Sequence, residues 1–413
     1  MKSAYLVMVE SSNNHNKYYQ MTQKTADVFE VQYGRVGAKG MLRTYPISRW
    51  DSIYQSKLAK GYIDNSSLYV PVKKSKYNEI SDVQVRTFWE EIESYSKKVL
   101  ESNYSVSYEK VTSKMIQEAS DILIRIQRMS DVNYINEMLL ELFQTVPRRM
   151  AKVSEYLLKD IADLPDVLER EWELLDVMKG HMTETSNKMA EINKNILESL
   201  GLSISLVTDE KRIAQIKNHL GIESVDKFSR AFRVCNKKTD ERFYQYMDQN
   251  GYKSKDIHYL YHGSRNENWY GLMTKGPLLR PQGVIITGKA FGNGIYFAPR
   301  AKKSIGYSSL RGAYWTGGMQ NKGYLAVYKV LFKNQKDVNV SYPYSLIDIL
   351  PRINPWDSLD YNNITTPYRS GYSMIFQDLA TIGVPHLWMV LPGSWADAGA
   401  RLFILKSKTL FHG

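Results

Sequence analysis

The chain has 413 residues and a single cysteine, Cys235, so it can form neither an intramolecular disulfide nor a zinc site built from several cysteines. Long apolar runs are also missing. The run from Ala4 to Val9 is too short for a signal-peptide core, and no stretch approaches the length of a membrane span. No His/Asp/Glu cluster has metal-ligand spacing. We therefore expect an intracellular protein, nuclear if the source is eukaryotic, with no metal and no membrane partner.

Acidic residues are scarce in both terminal segments of the chain. Residues 1–77 hold 12 Lys/Arg and 5 Asp/Glu, and residues 251–413 hold 19 and 8, whereas residues 78–250 hold 24 and 30. Two basic blocks thus flank an acidic one. Basic blocks are typical of proteins that bind a polyanion such as nucleic acid, although a requirement for solubility explains them equally well.

Three segments differ in their hydrophobic pattern. The runs SAYLVMVE, KYYQMTQ and VFEVQYGRVG predict short strands near the N-terminus. From Met115 the apolar residues recur every three or four positions, which predicts helices, with Asp131 as a cap, Pro147 as a stop and Pro165 in the first turn of a later helix. The runs IHYLYHGS, GIYFA, GYLAVYKVLF and ARLFILKS then predict strands joined by long loops.

The glycine-rich stretch GKAFGNGIYFAPRAKKSIGYSS begins at Gly288 and looks at first like a phosphate-binding loop. A P-loop requires G-x-x-x-x-G-K-[ST] before a helix. Here Gly288 and Gly294 are six residues apart, Ile295 follows, and the next residues favour a strand. A structural turn and a ligand-binding turn of another kind both remain open from this stretch alone.

Read together, YHGSRNENWYGLMTKGPLL and TGKAFGNGIYFAPRAKKSIGYSS resemble the catalytic domain of the poly(ADP-ribose) polymerase family in both order and spacing. The matching positions are His262, Gly263, Ser264, Trp269, Gly271, Leu272, Gly276, Phe291, Gly292, Gly294, Tyr296, Phe297, Ala298, Lys303, Ser304 and Tyr307. Tyr33-Gly34-Arg35 stands where the WGR domain of the DNA-damage-responsive members carries its name-giving motif, with tyrosine in place of tryptophan.

The resemblance implies a multidomain α+β protein made of three parts. NEMLLELFQTVPRR resembles part of the family's helical regulatory domain, and FSRAFRVCNKKTDERFYQYM resembles the segment that leads into the transferase. We expect a β-rich WGR-like domain with a linker at 1–100, an all-α helical regulatory bundle at 101–215, and a mixed α+β ADP-ribosyltransferase fold at 216–413. The bundle would cover the NAD site until DNA is bound.

By the same resemblance, the substrate is NAD and several residues hold it. The Gly263 backbone and the Ser304 hydroxyl would bind the nicotinamide carboxamide, and Tyr296 and Tyr307 would stack on its ring. His262 would bind the adenosine ribose hydroxyls, with Ser264 beside it. Phosphate contact and base stacking at a DNA strand break are expected from the residues of one predicted hairpin, which are Tyr33, Arg35, Lys39 and Arg43.

Glutamate is absent from the chain after Glu267. Family members that build polymers carry a catalytic glutamate on the final strand, and the register of ARLFILKS puts Arg401 there. A guanidinium accepts no hydrogen bond. We therefore expect a DNA-break-responsive enzyme that attaches single ADP-ribose units to protein or nucleic-acid acceptors, unless Asp397 or a partner protein's carboxylate completes the site. The alternative is an inactive DNA-binding scaffold with a degenerate transferase fold.

Overall fold

The computed structural model divides the chain into two compact units. The first holds the described residues of 1–74 and 97–186, and the second holds those of 75–96, 187–283 and 288–413. These units do not test the three predicted domain boundaries. The structure describes residues 2–66, 77–104, 112–181, 194–277, 295–310 and 322–332, and the backbone of strands at 336–337, 364–367, 372–376 and 382–392.

The first unit begins with an antiparallel sheet whose described strands lie in the order β4-β3-β2-β1-β5. Its elements are β1 Ser3–Glu10, β2 His15–Gln23, β3 Val28–Arg35, β4 Met41–Pro46, α1 Trp50–Leu58 and β5 Ile63–Asp64. The three strands predicted from sequence are confirmed as β1 to β3. Alternating side chains explain the packing, because Leu6 contributes to the core beneath α1 while its neighbour Val7 contributes to a core with the helices.

Helices follow the sheet, as the apolar periodicity predicts. They are α2 Val83–Asn103, α3 Ser113–Ile126, α4 Val132–Thr145 and α5 Leu164–Gly180. Asp131 caps α4 by accepting hydrogen bonds from two backbone amides, and Pro165 lies in the first turn of α5, so both predictions are confirmed. Thr112 caps α3 through Met115 N–H.

His181, just beyond α5, is buried in the first unit, and this burial lowers its pKa to about 3, with Lys97 acting in the same direction. The folded unit therefore holds a neutral imidazole. Because the unfolded chain binds a proton near pH 6.5, the contribution of His181 to stability is complete above that pH and is lost as the pH falls towards 3.

Replacing His181 with glutamine should remove this pH dependence. Between pH 7.5 and pH 5, the unfolding free energy of the wild type should fall by about 2 kcal/mol more than that of His181→Gln. Hydrogen exchange of α5 amides in urea measures this locally. His15→Gln, at a partly exposed position of the same unit, serves as the control. Equal pH slopes for the wild type and His181→Gln would contradict the prediction.

The second unit contains two described sheets, in the orders β6-β7-β14-β10-β8 and β11-β12-β13-β9. Backbone hydrogen bonds between Tyr261 and Ala298 join them. The elements are α6 Ile196–Leu200, β6 Leu202–Leu206, α7 Glu210–Leu220, β7 Arg230–Asn236, α8 Lys237–Gln249, β8 Ile257–Gly263, α9 Trp269–Thr274, β9 Ile295–Phe297, α10 Ala301–Ile305, β10 Lys322–Leu331, β11 Lys336–Asp337, β12 Ile364–Pro367, β13 Tyr372–Phe376 and β14 Ile382–Pro392.

Both faces of the first of these sheets are covered. On one face Leu260 of β8 and Tyr328 of β10 share a core with residues of the N-terminal half of α2, α9 and β9. On the other face Tyr261 and Leu325 pack with residues of α7 and α10. The strand predictions at 257–264, 294–298 and 323–332 are confirmed, whereas the one at ARLFILKS lies outside the described residues.

Candidate active site and nucleic-acid interface

His262 lies near the end of β8, among aromatic rings of the sheet core. Its Nδ1 lies 2.9 Å from the carbonyl oxygen of Tyr296 on β9. Its ring contacts Trp269, Phe297 and Tyr328 at centroid distances of 6.1, 5.4 and 5.8 Å. These contacts fix the plane of the imidazole.

The protonation state of His262 follows from its neighbours. Burial lowers its pKa, and the Tyr296 carbonyl acts against this to a smaller extent, so the ring is neutral at pH 7. A carbonyl oxygen only accepts, so Nδ1 carries the proton and donates to it. Nε2 is then a hydrogen-bond acceptor, which suits a hydroxyl group such as that of a ribose.

Gly263 lies directly beneath the short helix α10. A Cβ atom at this position would overlap the carbonyl oxygen of Ser304 and lie 2.6 Å from its carbonyl carbon, where Cβ atoms in proteins essentially never come within 3.0 Å. Only glycine therefore permits this approach between β8 and α10. We call this close approach of the Gly263 backbone to Ser304 the cradle. These two residues are the pair predicted to hold the nicotinamide carboxamide.

The buried Ser304 hydroxyl already has one partner. Its Oγ donates to the Tyr261 carbonyl of β8 at 3.0 Å. With its proton used in this way, Oγ offers its remaining lone pair to an N–H group. Lys303 lies beside it in α10, and burial lowers its pKa.

Three further predicted NAD residues lie on the segments that adjoin Gly263 and Ser304 or on β9. Ser264 Oγ accepts from Asn268 Nδ2 at 3.0 Å, which leaves the serine proton for another acceptor. Tyr296 is on β9, and Tyr307 is on the turn after α10 with 54% of its surface exposed. Gly292, Gly294, Asp397 and Arg401 lie outside the described residues.

In the first unit, Tyr33 and Arg43 come together on the β3–β4 hairpin, where the Arg43 guanidinium lies 5.7 Å from the Tyr33 ring centroid. Arg49 lies 5.4 Å from the Tyr45 ring, and Lys57 Nζ lies 4.0 Å from that of Tyr19. We call this group the tyrosine–cation patch; it comprises Tyr19, Tyr33, Arg43, Tyr45, Arg49, Lys57 and Tyr62. Exposed Lys39 lies in the adjoining turn.

Sequence reasoning missed most of this patch. Tyr45 and Arg49 follow the predicted residues by a few positions, but Lys57 reaches the sheet from α1, which was not predicted. The signal that could have found Tyr45 is the strand alternation Arg43, Tyr45, which places both side chains on one face. No local pattern reveals that Lys57 also lies 5.4 Å from the Tyr62 ring.

Arg35 has a different environment from the one predicted. Its guanidinium donates to the carbonyl oxygens of Met150 at 2.9 Å and Ala151 at 2.6 Å, and to both the carbonyl and the side chain of Asn14. Nearby, Arg149 donates to the Gly37 carbonyl at 2.6 Å. Arg35 thus joins the sheet to the loop after α4, and its predicted contact with phosphate stays a prediction.

Two family models match the chain in the regions just described. The poly(ADP-ribose) polymerase catalytic domain matches residues 211–317, which include His262, Gly263 and Ser304, and the WGR domain matches residues 2–67. This chain belongs to the poly(ADP-ribose) polymerase family. It carries a WGR domain and a poly(ADP-ribose) polymerase catalytic domain, which supports an NAD-dependent ADP-ribosyltransferase.

Several curated proteins are similar to this polymerase-family chain. Protein 101L of Invertebrate iridescent virus 6, described as uncharacterized, is 34% identical over 195 residues, which are 46% of this chain and 82% of the viral protein. Poly [ADP-ribose] polymerase 2 of Arabidopsis thaliana is 22% identical over 375 residues, 74% of this chain and 57% of the plant protein. The human protein of the same name is 45% identical over 56 residues, 13% and 10% of the two chains.

The chain therefore spans just over half of the Arabidopsis relative and most of the viral one. Within the part of the chain that the structure describes, no helix combines the length and apolar character needed to cross a bilayer.

Proposed function

We propose that this chain transfers single ADP-ribose units from NAD to a protein or nucleic-acid acceptor, releases nicotinamide, and is stimulated by DNA strand breaks. The observation that carries this proposal is the cradle in which the Gly263 backbone lies against Ser304 beneath α10. Its position within the match to the polymerase catalytic domain supports NAD as the substrate.

The described residues suit the carboxamide, a ribose hydroxyl and the nicotinamide ring of NAD. The Gly263 backbone and the lone pair of Ser304 Oγ are suited to the carboxamide, because that group both accepts and donates. The acceptor Nε2 of His262 suits a ribose hydroxyl. Tyr296 and Tyr307 supply aromatic faces for the planar ring.

NAD supplies a labile bond between its nicotinamide ring and the anomeric carbon of the ribose. When this bond breaks, nicotinamide leaves as a neutral molecule with the bonding electrons, and an oxocarbenium-like centre develops on the ribose. An acceptor nucleophile then bonds to that carbon and loses its proton to solvent. The chain's own residues bind and orient the substrate and shield the reacting carbon from water.

Single-unit transfer rests on the residue at position 401. The sequence has no glutamate after Glu267. By the family resemblance, Arg401 stands at the position of the glutamate that activates an acceptor hydroxyl during chain growth. A guanidinium cannot accept that proton, and its charge opposes a developing cation. Arginine in place of this glutamate also favours a second candidate function, that of an inactive DNA-binding scaffold.

Transfer of label from NAD separates these alternatives. The purified chain is incubated with NAD labelled in its adenylate phosphate and with a nicked duplex, then resolved on a denaturing gel. One discrete labelled product, assigned by protease and nuclease digestion, is expected. A ladder of polymer would overturn single-unit transfer, and its loss in Asp397→Ala would identify the rescuing carboxylate. No transferred label would favour the scaffold.

Stimulation by DNA rests on the WGR domain match and on the tyrosine–cation patch. Tyrosine rings stack on exposed bases, and arginine or lysine side chains contact phosphate. The patch combines both kinds of group on the β3–β4 hairpin, at Arg49 just before α1 and at Lys57 within α1, whereas Tyr19 of β2 is buried. The net charge of residues 1–77, with 12 basic and 5 acidic residues, favours association with a polyanion.

Substitutions in the patch should weaken binding to a nicked duplex. Tyr33→Ala should cost about 1–3 kcal/mol of binding free energy through lost stacking. Arg43→Ala should reduce the slope of log K against log salt by about 1. Fluorescence anisotropy across a salt series measures both. Arg125→Ala removes an exposed arginine paired with Glu141 in the helical segment and should leave the slope unchanged.

Unchanged affinity and slope in both patch variants would remove the interface assignment. Arg35→Ala belongs in the same series, because the family resemblance places it at DNA whereas its guanidinium holds the loop after α4. A lower melting temperature with an unchanged salt slope would assign Arg35 to that loop alone.

A further inference from the structure

Asn266 connects the loop after β8 to the turn that carries Tyr307. Its backbone N–H donates to Ser309 Oγ at 2.8 Å, and its side-chain Nδ2 donates to the Lys322 carbonyl at the start of β10 at 2.9 Å. Asn266 thus links the loop after β8, the turn that carries Tyr307 and the start of β10.

This connection is buried. Asn266 has no exposed surface, and Ser309 is 4% exposed. Polar groups removed from water are retained where they are hydrogen-bonded, since an unpaired one is costly. Loss of either hydrogen-bond partner of Asn266 would therefore destabilise the structure around it. Neither partner, Ser309 or Lys322, belongs to the predicted NAD contacts.

The described backbone hydrogen bonds of the Tyr307 turn run back to α10. Tyr307 N–H donates to the Ser304 carbonyl at 3.1 Å, and Ser308 N–H donates to the Ile305 carbonyl at 3.0 Å, so these bonds only continue α10. Gly323 lets the turn approach β10, because a Cβ there would lie 2.8 Å from Leu310 Cγ. The Asn266–Ser309 bond is the described side-chain hydrogen bond that links this turn to the Ser264 loop.

We propose that Asn266 and Ser309 form a positioning pair that sets the place of the Tyr307 ring relative to Gly263 and Ser264. The inference rests on the proposed NAD site, since Tyr307 is there the aromatic face for the nicotinamide ring. Neither residue touches the substrate. Loss of the Asn266–Ser309 hydrogen bond allows the Tyr307 turn to move, and the displaced Tyr307 ring loses its stacking contact with the nicotinamide ring.

Binding of benzamide tests this without turnover, because benzamide carries only the aromatic ring and the carboxamide. Ser309→Ala removes the acceptor of the Asn266 N–H, and calorimetry should show affinity reduced about tenfold, the scale of one lost stacking contact. Ser309→Thr keeps the hydroxyl and should restore the affinity. Ser120→Ala, at a buried serine bonded within α3, is the matched control and should bind as the wild type does.

Coupling to Tyr307 distinguishes positioning from a general loss of stability. In Tyr307→Ala, adding Ser309→Ala should cause no further loss of benzamide affinity, because the pair acts through the ring. Additive losses, or an unchanged affinity in Ser309→Ala, would overturn the inference. Failure of the wild type to bind benzamide at all would instead refute the proposed NAD site, so the two failures are distinguishable.

Discussion

Replacing Gly263 with alanine is expected to lower NAD turnover by at least about 100-fold. A Cβ at this position overlaps the Ser304 carbonyl oxygen, so β8 and α10 cannot keep their present approach. Both partners are backbone, and β8 is held by its pairing with β10, so α10 must move. That movement displaces Ser304 and the turn that carries Tyr307. Release of nicotinamide from NAD measures the loss.

Gly306→Ala is the matched control for this experiment. Gly306 has a helical backbone, with φ of −59°, and the nearest atom to an added Cβ is the Lys303 carbonyl oxygen at 3.2 Å. The same chemical change next to the same helix should therefore reduce turnover much less than Gly263→Ala does. Turnover in Gly263→Ala close to that of the wild type would mean that the NAD site lies elsewhere.

Glu171→Gln is expected to destabilise the helical segment of the first unit by about 3–5 kcal/mol. Arg148 and Glu171 form an ion pair in its core, 1% and 3% exposed, and the Arg148 guanidinium also lies 5.5 Å from the Tyr104 ring centroid. Arg170 pairs with the same carboxylate at 3.0 Å. Neutralising Glu171 leaves two buried or half-buried guanidinium groups without their counter-ion, and such groups are costly.

The double variant Arg148→Met/Glu171→Leu should be less destabilised than Glu171→Gln, because it buries apolar groups in place of an uncompensated charge. Local unfolding is followed by hydrogen exchange of α4 and α5 in urea. The exposed pair of Arg125 and Glu141 provides the control, since Arg125→Ala should cost about 0–1 kcal/mol. An equally small cost for Glu171→Gln would show that the buried pair contributes little.

Local sequence patterns predicted β1 to β3, β8 to β10 and α3 to α5, and they missed the other described strands. β14 was missed although it pairs with both β10 and β7, because Pro385 interrupts an apolar run and proline argues against a central strand. α1 was missed although Trp50, Ile53, Tyr54 and Leu58 follow helical spacing and pack in the core beneath this helix. The place of β14 in its sheet is fixed by pairing with distant strands, which no local window contains.

The residues proposed for the NAD site come from two sequence motifs of fixed spacing, and their role stays a prediction. The contacts that position these residues could not be predicted from the sequence. Asn266 and Ser309 are 43 positions apart, and the hydrogen bond that joins them follows only from the fold. The hydrogen bonds of Arg35 to the carbonyl groups of Met150 and Ala151 also follow only from the fold, and its predicted contact with DNA stays a prediction.

The central claim is that this chain cleaves NAD in response to broken DNA. Release of nicotinamide by the full chain, with and without a nicked duplex, tests it most directly. We predict measurable release that rises when the nicked duplex is added and that falls by at least about 100-fold in Gly263→Ala. Absence of nicotinamide release with and without the duplex, from protein that binds the duplex, would contradict the account and leave a DNA-binding scaffold.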